Sequence, residues 1–302
     1  MKNTPFIAVT SQPVPYHADT TAIFNTLCQQ NSNSLLLDSA EIGSKNSLQS
    51  LILINAAVKI TCLGNQVTFR ALNANGKQVL KEIHPVLSQL GTVSAVNFDN
   101  EFSVQFAPLD NQLDEDSKLQ AATIFDGLRV ISNHYQHSST PVFLGGLFAY
   151  DLVANFIPMQ GVELKDDGIH CPDYSFYLAE NLITIDHQSQ QATLKSFCFS
   201  QEEQVEVAKT ALSIAQKLKN IDGVLSIKAA SDEVSTNFED PEFTGIVKAL
   251  KHHINIGDVF QIVPSRRFSL ACPNTLASYA QLKLNNPSPY MFYMNDEDFI
   301  LF

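Results

Sequence analysis

No apolar run in this 302-residue chain approaches the roughly 20 residues that a membrane-spanning helix needs. The longest, Leu51 to Ile54 and Val142 to Tyr150, fall far short, so no membrane segment is expected. The N-terminal stretch MKNTPFIAVTSQPVP has one lysine and a short apolar run before its prolines, too little for a signal peptide, and a cytoplasmic location is the expectation. Cys28, Cys62, Cys171, Cys198 and Cys272 show no C-x-x-C spacing and read as reduced thiols. Basic residues are also scarce. With 19 Lys and Arg against 31 Asp and Glu, the formal charge is −12, so the long-range field repels nucleic acid and anionic membranes, and the surplus acid reads as solvated surface. Walker, dinucleotide-binding, nucleophile-elbow and H-E-x-x-H motifs are all missing. His134 and His137, and the adjacent His252 and His253, have no third ligand nearby in sequence and read as surface or capping residues.

What is present is a globular composition, 45% hydrophobic and 17% charged, sufficient for one large unit or two smaller ones. Apolar residues at i, i+4 after Asp19 predict a helix through Cys28, followed by a strand at Ser34 to Leu37. Val58 to Leu63 and Val67 to Leu72 around Gly64-Asn65 predict a hairpin, as do Tyr174 to Ile185 and Gln191 to Phe199 around Asp186 to Ser189. Single helices are expected over Asp114 to His134 and Glu202 to Leu218. Asp240-Pro241-Glu242 looks like a helix start with Asp240 as N-cap and Pro241 first. Phe243, Val247, Leu250 and Ile254 form its stripe, and Gly257 stops it. Val259 to Leu270 reads as a strand interrupted at Pro264, Asn274 to Leu284 as a helix, and Tyr290 to Tyr293 with Phe299 to Phe302 as a last hairpin. Strands and helices mix without βαβ alternation, which predicts an α+β fold of antiparallel sheets packed together with flanking helices. Expected segments are 1–218, a polar linker or surface loop at 219–237, and 238–302. A final FILF strand without a cap suggests that the last sheet is incomplete at Phe302.

Four segments stand apart. Leu35-Leu36-Leu37-Asp38-Ser39 is a strand ending in a carboxylate and a hydroxyl, a pair able to contact an amino acid's ammonium and carboxylate, or simply to form a turn. Asn286-Pro287-Ser288-Pro289-Tyr290-Met291-Phe292-Tyr293 has two prolines that remove backbone donors, leaving carbonyls for a cation beside an apolar wall. Gly145-Gly146 allows close approach of a backbone or ligand, or marks a bulge. Gly257 to Phe268 ends on Arg266-Arg267, which suit either an anionic substrate or the chain's surplus acids.

In this order LLLDSAEI, FLGGLFAYDLV, GDVFQIVPSRRFSL and NPSPYMFYM resemble stretches of the anthranilate synthase large subunit, within the chorismate-using enzymes, over nearly the whole chain. The resemblance implies a tryptophan feedback site at Ser39, Pro289, Tyr290 and Met291, with Asp38, Asn286 and Pro287 as neighbours. Asp38 stands where that family usually has Glu. Pro264, Ser265 and Pro287 to Met291 set the chain apart from the similar aminodeoxychorismate synthase subunit, and Gln261 from isochorismate-forming relatives, which place a lysine base near that position.

The implied reaction is that of a lyase. Ammonia, delivered from glutamine by a separate amidotransferase subunit, is added to chorismate and pyruvate is eliminated to give anthranilate for tryptophan synthesis. Magnesium acts there as a Lewis acid. The family's magnesium ligands and catalytic residues are expected after Phe302, so no catalytic or metal residue is assigned here and the chain alone is expected to be inactive. A non-catalytic amino-acid sensor is the alternative.

Overall fold

The structure, a computed structural model, describes residues 5–28, 31–39, 48–97, 99–108, 110, 112–138, 140–157, 171–221 and 233–302. Residues 40–42 of the LLLDSAEI segment and 222–232 of the expected linker lie outside that set. The chain divides into two compact units, one of Met1–Val224 with Leu282–Phe302 and one of Leu225–Gln281.

The first unit is built on an antiparallel sheet of eleven strands, so the expected α+β class with antiparallel pairing is what the fold has. The sheet is branched. Its strands and helices are β1 (Ala8–Val14), α1 (Thr20–Cys28), β2 (Ser34–Asp38), β3 (Gln49–Leu63), β4 (Gln66–Ala71), α2 (Ala74–Leu87), β5 (Thr92–Asn97), β6 (Glu101–Gln105), α3 (Glu115–Gln120), α4 (Asp126–His134), β7 (Leu144–Phe148), β8 (Tyr174–Asp186), β9 (Gln191–Cys198) and α5 (Gln204–Lys217). The branching comes from the two longest strands. β3 and β8 pair along their whole length, with register shifts between Leu53 and Val58 that bend them. Beyond the bend, Val58 to Leu63 pair with β4 and Leu144 to Phe148 with β8. Before it, Leu51 to Leu53 pair with β2 and Asn181 to Asp186 with β9.

The arm beyond the bend packs against α2. Val58, Ile60, Val67, Phe69, Phe102 and Val104 are buried against Val79, Leu80, Ile83 and Leu87 of α2 in one cluster. Each such side chain contributes about 1.5–3 kcal/mol through burial. Helix α2 has no counterpart in the sequence reading. Asn73 starts it by accepting from Gly76 N, and Pro85 is tolerated in its last turn. Gly146 needs its missing side chain: a Cβ would stand 2.1 Å from Ser175 O, and β7 pairs with β8 in unbroken register, so close backbone approach explains this glycine and a bulge does not.

Several expectations are met and others corrected. Asp19 caps α1, accepting from Thr21 N and Ala22 N at 3.0 and 3.1 Å. The single helix expected over 114–134 is two, broken where Ala121 turns extended (ψ 142°). Asp126 Oδ2 accepts from Thr123 N at 2.7 Å to start the second helix, and Tyr174 Oη takes the Ile124 carbonyl that a continuous helix would use internally.

The second unit holds β10 (Ser235–Thr236), α6 (Asp240–Asn255), β11 (Phe268–Ser269) and most of α7 (Thr275–Asn285). Glu239, extended at ψ 160°, is the N-cap residue of α6, and no side-chain bond caps the helix there. Asp240 is instead the first helical residue, and its carboxylate binds Arg266 at 2.6 Å. Gly257 ends the helix at φ +84°, as its lack of a side chain permits. The strand expected over 259–270 shrinks to Phe268–Ser269, paired with β10, because Pro264 has no donor for a ladder. The last strands, β12 (Met291–Asn295) and β13 (Ile300–Leu301), return to the first unit's sheet, with β12 beside β2.

Candidate functional site

Strand pairing joins the two segments that the sequence singled out. β12 runs antiparallel to β2 with Met291 opposite Asp38, Phe292 opposite Leu37 and Tyr293 opposite Leu36. Directly opposed residues in a sheet project to the same face, so Met291 and Asp38 share one side. Ser39 follows Asp38 at the end of β2 and is half-buried, while Asn286, Pro287, Ser288, Pro289 and Tyr290 lead into β12 from α7. Met291 is buried. Tyr290 is 92% exposed, so its ring faces solvent. Asn286 N donates to Leu282 O at 2.8 Å and closes α7 ahead of the prolines.

Asp38 does something different from what its place in the sequence suggested. Expected as a contact for an incoming ammonium, it is buried and already ligated. Oδ1 accepts from Ser50 Oγ at 2.6 Å and from Ser39 N at 3.0 Å. Oδ2 accepts from Thr20 Oγ1 at 2.8 Å and from the Lys283 ammonium at 2.5 Å. Burial alone would raise its pKa, but the charge and hydrogen bonds of Lys283, with those of Ser50 and Thr20, outweigh this and hold the carboxyl below its ordinary 3.8. Asp38 is therefore an ionised anchor. It fixes the Ser39 backbone on one side and, through Lys283 in the last turn of α7, the base of the proline loop on the other.

Thr20, Ser50, Lys283 and, behind Ser50, His187 with Tyr16 are the residues that sequence reasoning missed. His187 Nε2 is 2.9 Å from Ser50 Oγ, and its Nδ1 is 3.2 Å from Tyr16 Oη. A signal for Ser50 existed. Leu35, Leu36 and Leu37 pair with Leu53, Ile52 and Leu51, so reading LLL and LILI as facing strands would have brought Asp38 and Ser50 together.

A second buried cluster lies at the other end of β12. The Lys59 ammonium binds Asp296 Oδ1 at 2.6 Å, and Tyr177 Oη and Ser175 Oγ both donate to Oδ2. A cavity of about 630 Å3 opens there, lined by Lys59, Thr61, Asp296, Asp298 and Phe299 among others, with none of the sequence-selected site residues in its wall. Of the other sequence candidates, Arg266 pairs with Asp240 and stacks over the Phe268 ring at 4.8 Å, which is the acid-pairing reading for that arginine. All five cysteines are free. Among the described residues no group of three or more His, Cys, Asp or Glu side chains is placed to hold a metal ion, and no step is assigned to one.

Comparison with known proteins identifies the family and the fold. The family model described as chorismate binding enzyme matches residues 81–302. The chain is 88% identical over 297 residues to anthranilate synthase component 1 of Haemophilus influenzae, covering 98% of this chain and 57% of that protein. It is 44% identical over 312 residues to the Vibrio cholerae protein of the same name, covering 100% of this chain and 58% of that one. Thus the chain spans somewhat over half the length of these relatives. Among solved structures, anthranilate synthase component I from Streptococcus pneumoniae is similar at TM-score 0.53 and 17% identity, over 86% of this chain and 50% of that one. The menaquinone-specific isochorismate synthase of Escherichia coli is similar at TM-score 0.51 and 15% identity, over 97% and 49%. At those identities the two structures speak for the fold alone.

Proposed function

The chain belongs to the chorismate-binding enzyme family, and from that premise we propose that it is part of an anthranilate synthase component I whose Ser39 end and Pro289-Tyr290-Met291 segment form a feedback site for L-tryptophan. The parent reaction is that of a lyase, turning chorismate and ammonia into anthranilate and pyruvate. The ammonia comes from glutamine on a partner amidotransferase subunit. The similarity to the Haemophilus and Vibrio proteins supports the parentage.

One observation carries the site: the register that sets Met291 opposite Asp38, beside Ser39, across more than 250 residues of sequence. Tryptophan is a zwitterion with an apolar indole, so its site needs polar groups for both charges and a polarizable wall. Ser39 supplies a hydroxyl, the loop from Pro287 to Pro289 supplies carbonyls whose neighbours lack donors, and Met291 supplies the wall. The Lys283–Asp38 ion pair ties these two sides together.

In this reading the chain carries regulation and scaffold, while magnesium binding and catalysis belong to the part of the relatives it does not span. Two measurements test it. Given chorismate, magnesium and ammonium at alkaline pH, the chain should yield no anthranilate fluorescence, and turnover above background would refute the division of labour. The chain contains no tryptophan, so added L-tryptophan, excited at the red edge of its band, is the only indole in the sample. Its anisotropy should rise to a plateau as protein is added, and Met291→Thr should shift that curve to higher protein. A flat trace with the wild-type chain would remove the site.

A further inference from the structure

Ser50 stands between Asp38 and a histidine to which the ligand reading gives no task. A serine hydroxyl has one proton. The Asp38 carboxylate, ionised against Lys283, can only accept, so the 2.6 Å bond from Ser50 Oγ consumes that proton. The 2.9 Å contact from Ser50 Oγ to His187 Nε2 is then donated by the imidazole, which fixes a proton on Nε2. With Nε2 protonated, the neutral ring accepts at Nδ1 from the Tyr16 hydroxyl 3.2 Å away. The Tyr16 ring also meets the imidazole edge-on at 5.9 Å and 75°, and His187 N donates to Leu48 O at 3.0 Å, on the residue just before β3. The order of donation runs one way, from Tyr16 through His187 and Ser50 to Asp38.

We propose that His187 is a positioning residue for the amino-acid site: steered by Tyr16, its Nε2–H dedicates the Ser50 hydroxyl to Asp38 and thereby fixes the carboxylate that orients Ser39 and Lys283. The proposal rests on the amino-acid reading given above. The alternative tautomer shows what the histidine controls. An imidazole with a bare Nε2 would draw the Ser50 proton to itself, and Oδ1 of Asp38 would lose the Ser50 hydroxyl. The carboxylate would keep its Oδ2 bonds from Thr20 and Lys283, but Oδ1, which receives Ser39 N at 3.0 Å, would be held less firmly on the side of Ser39. Ligand affinity at Ser39 thus depends on a residue three hydrogen bonds away that need not touch the ligand.

Two isosteres separate this from a structural role. The side-chain nitrogen of glutamine reaches the place of Nε2, whereas that of asparagine reaches only the place of Nδ1. His187→Gln therefore keeps the donor to Ser50, and His187→Asn loses it. In the 302-residue chain, L-tryptophan anisotropy should give His187→Gln an affinity within about twofold of wild type and His187→Asn one weaker by about 5- to 10-fold, the equivalent of one neutral hydrogen bond. In a Ser50→Ala background the asparagine change should cost nothing more, since the residue it acts through is gone. Imidazole 15N shifts of the ligand-free wild type should show Nε2 protonated and Nδ1 bare. Equal affinities for the two isosteres, an additive loss with Ser50→Ala, or a proton on Nδ1 alone would overturn the proposal. If the wild-type chain binds no tryptophan, the amino-acid reading falls and the ligand role of His187 falls with it. The 15N shifts, read without ligand, then tell that failure apart from a wrong assignment of the proton.

Discussion

The short strand β12 is pinned at both ends by a buried lysine–aspartate pair, and the two pairs are built differently. At the far end Asp296 is wholly buried and Lys59 is 7% exposed, with further donors from Tyr177 and Ser175 on the neighbouring strand β8. Burial would raise the Asp296 pKa, but the bonds from Lys59 and Tyr177 win and hold it low, while burial and that same carboxylate push the Tyr177 phenol up. At the near end Asp38 is equally buried, but Lys283 is 23% exposed and rides on a helix end, and the chain of donors runs outward through Ser50 to a half-buried histidine. One pair is a lock, its carboxylate held by Lys59, Tyr177 and Ser175. The other is adjustable, with a partner that can retreat to water and a titratable group behind it, and it sits beside the residues assigned to a ligand.

That contrast is testable by removing each lysine. Lys59→Met strands the Asp296 charge in the sheet and should cost about 3–5 kcal/mol in urea unfolding, the usual result of breaking a buried pair from one side. Lys283→Met leaves Asp38 its bonds from Thr20, Ser50 and Ser39, and should cost less, about 1.5–3 kcal/mol, the worth of one charged hydrogen bond. Equal losses would erase the distinction between lock and adjustable pair.

Acid sharpens the comparison. Both aspartates have folded pKa values below the ordinary 3.8, so each contributes stability that is complete above that value and is lost as pH falls through the folded one. Wild type should begin to unfold only below about pH 4, and either lysine substitution should raise the pH of half-unfolding, Lys59→Met by more. The smallest expected effect belongs to a buried acid with no ion-pair partner among the described residues. Burial raises the Glu180 pKa above its ordinary 4.5 against the bonds from Asn75 and Asn73. Its charge therefore weighs against the fold at neutral pH, and Glu180→Gln should slightly raise the urea midpoint at pH 7, an advantage that disappears below pH 4.5. A lower midpoint at pH 7 would show the charge to be useful.

The sequence was most legible where local patterning and tertiary demand agree. Both hairpins, α1 with its Asp19 cap, α5 and α7 follow from period and turn chemistry alone. It was least legible where a long-range bond decides the backbone. The break between α3 and α4 depends on Tyr174 claiming the Ile124 carbonyl from 50 residues away. Helix α2 hides behind a glycine near its start and Pro85 near its end, and its burial against β3 and β4 overrides both. The stripe of α6 shows the converse: its spacing was read correctly, yet none of its residues is buried among the described residues. The site divided in the same way. Ser39, Asp38 and the proline loop carry side chains whose chemistry is visible in one dimension. Thr20, Ser50, Lys283 and His187 are ordinary residues that matter only because the order β8-β3-β2-β12 puts them around one carboxylate.

The central claim is that β12 and β2 together make a tryptophan site with Ser39 as its polar contact. It is tested most directly by titrating L-tryptophan anisotropy with the wild-type chain and with Ser39→Ala, alongside their urea midpoints. The account predicts saturable binding by wild type, a loss of roughly 10- to 150-fold in affinity on removing a hydroxyl that bonds a charged group, and nearly unchanged stability. Matching binding curves for the two proteins, or a Ser39→Ala chain that loses about 1 kcal/mol of stability and no affinity, would instead make Ser39 a capping serine and contradict the assignment.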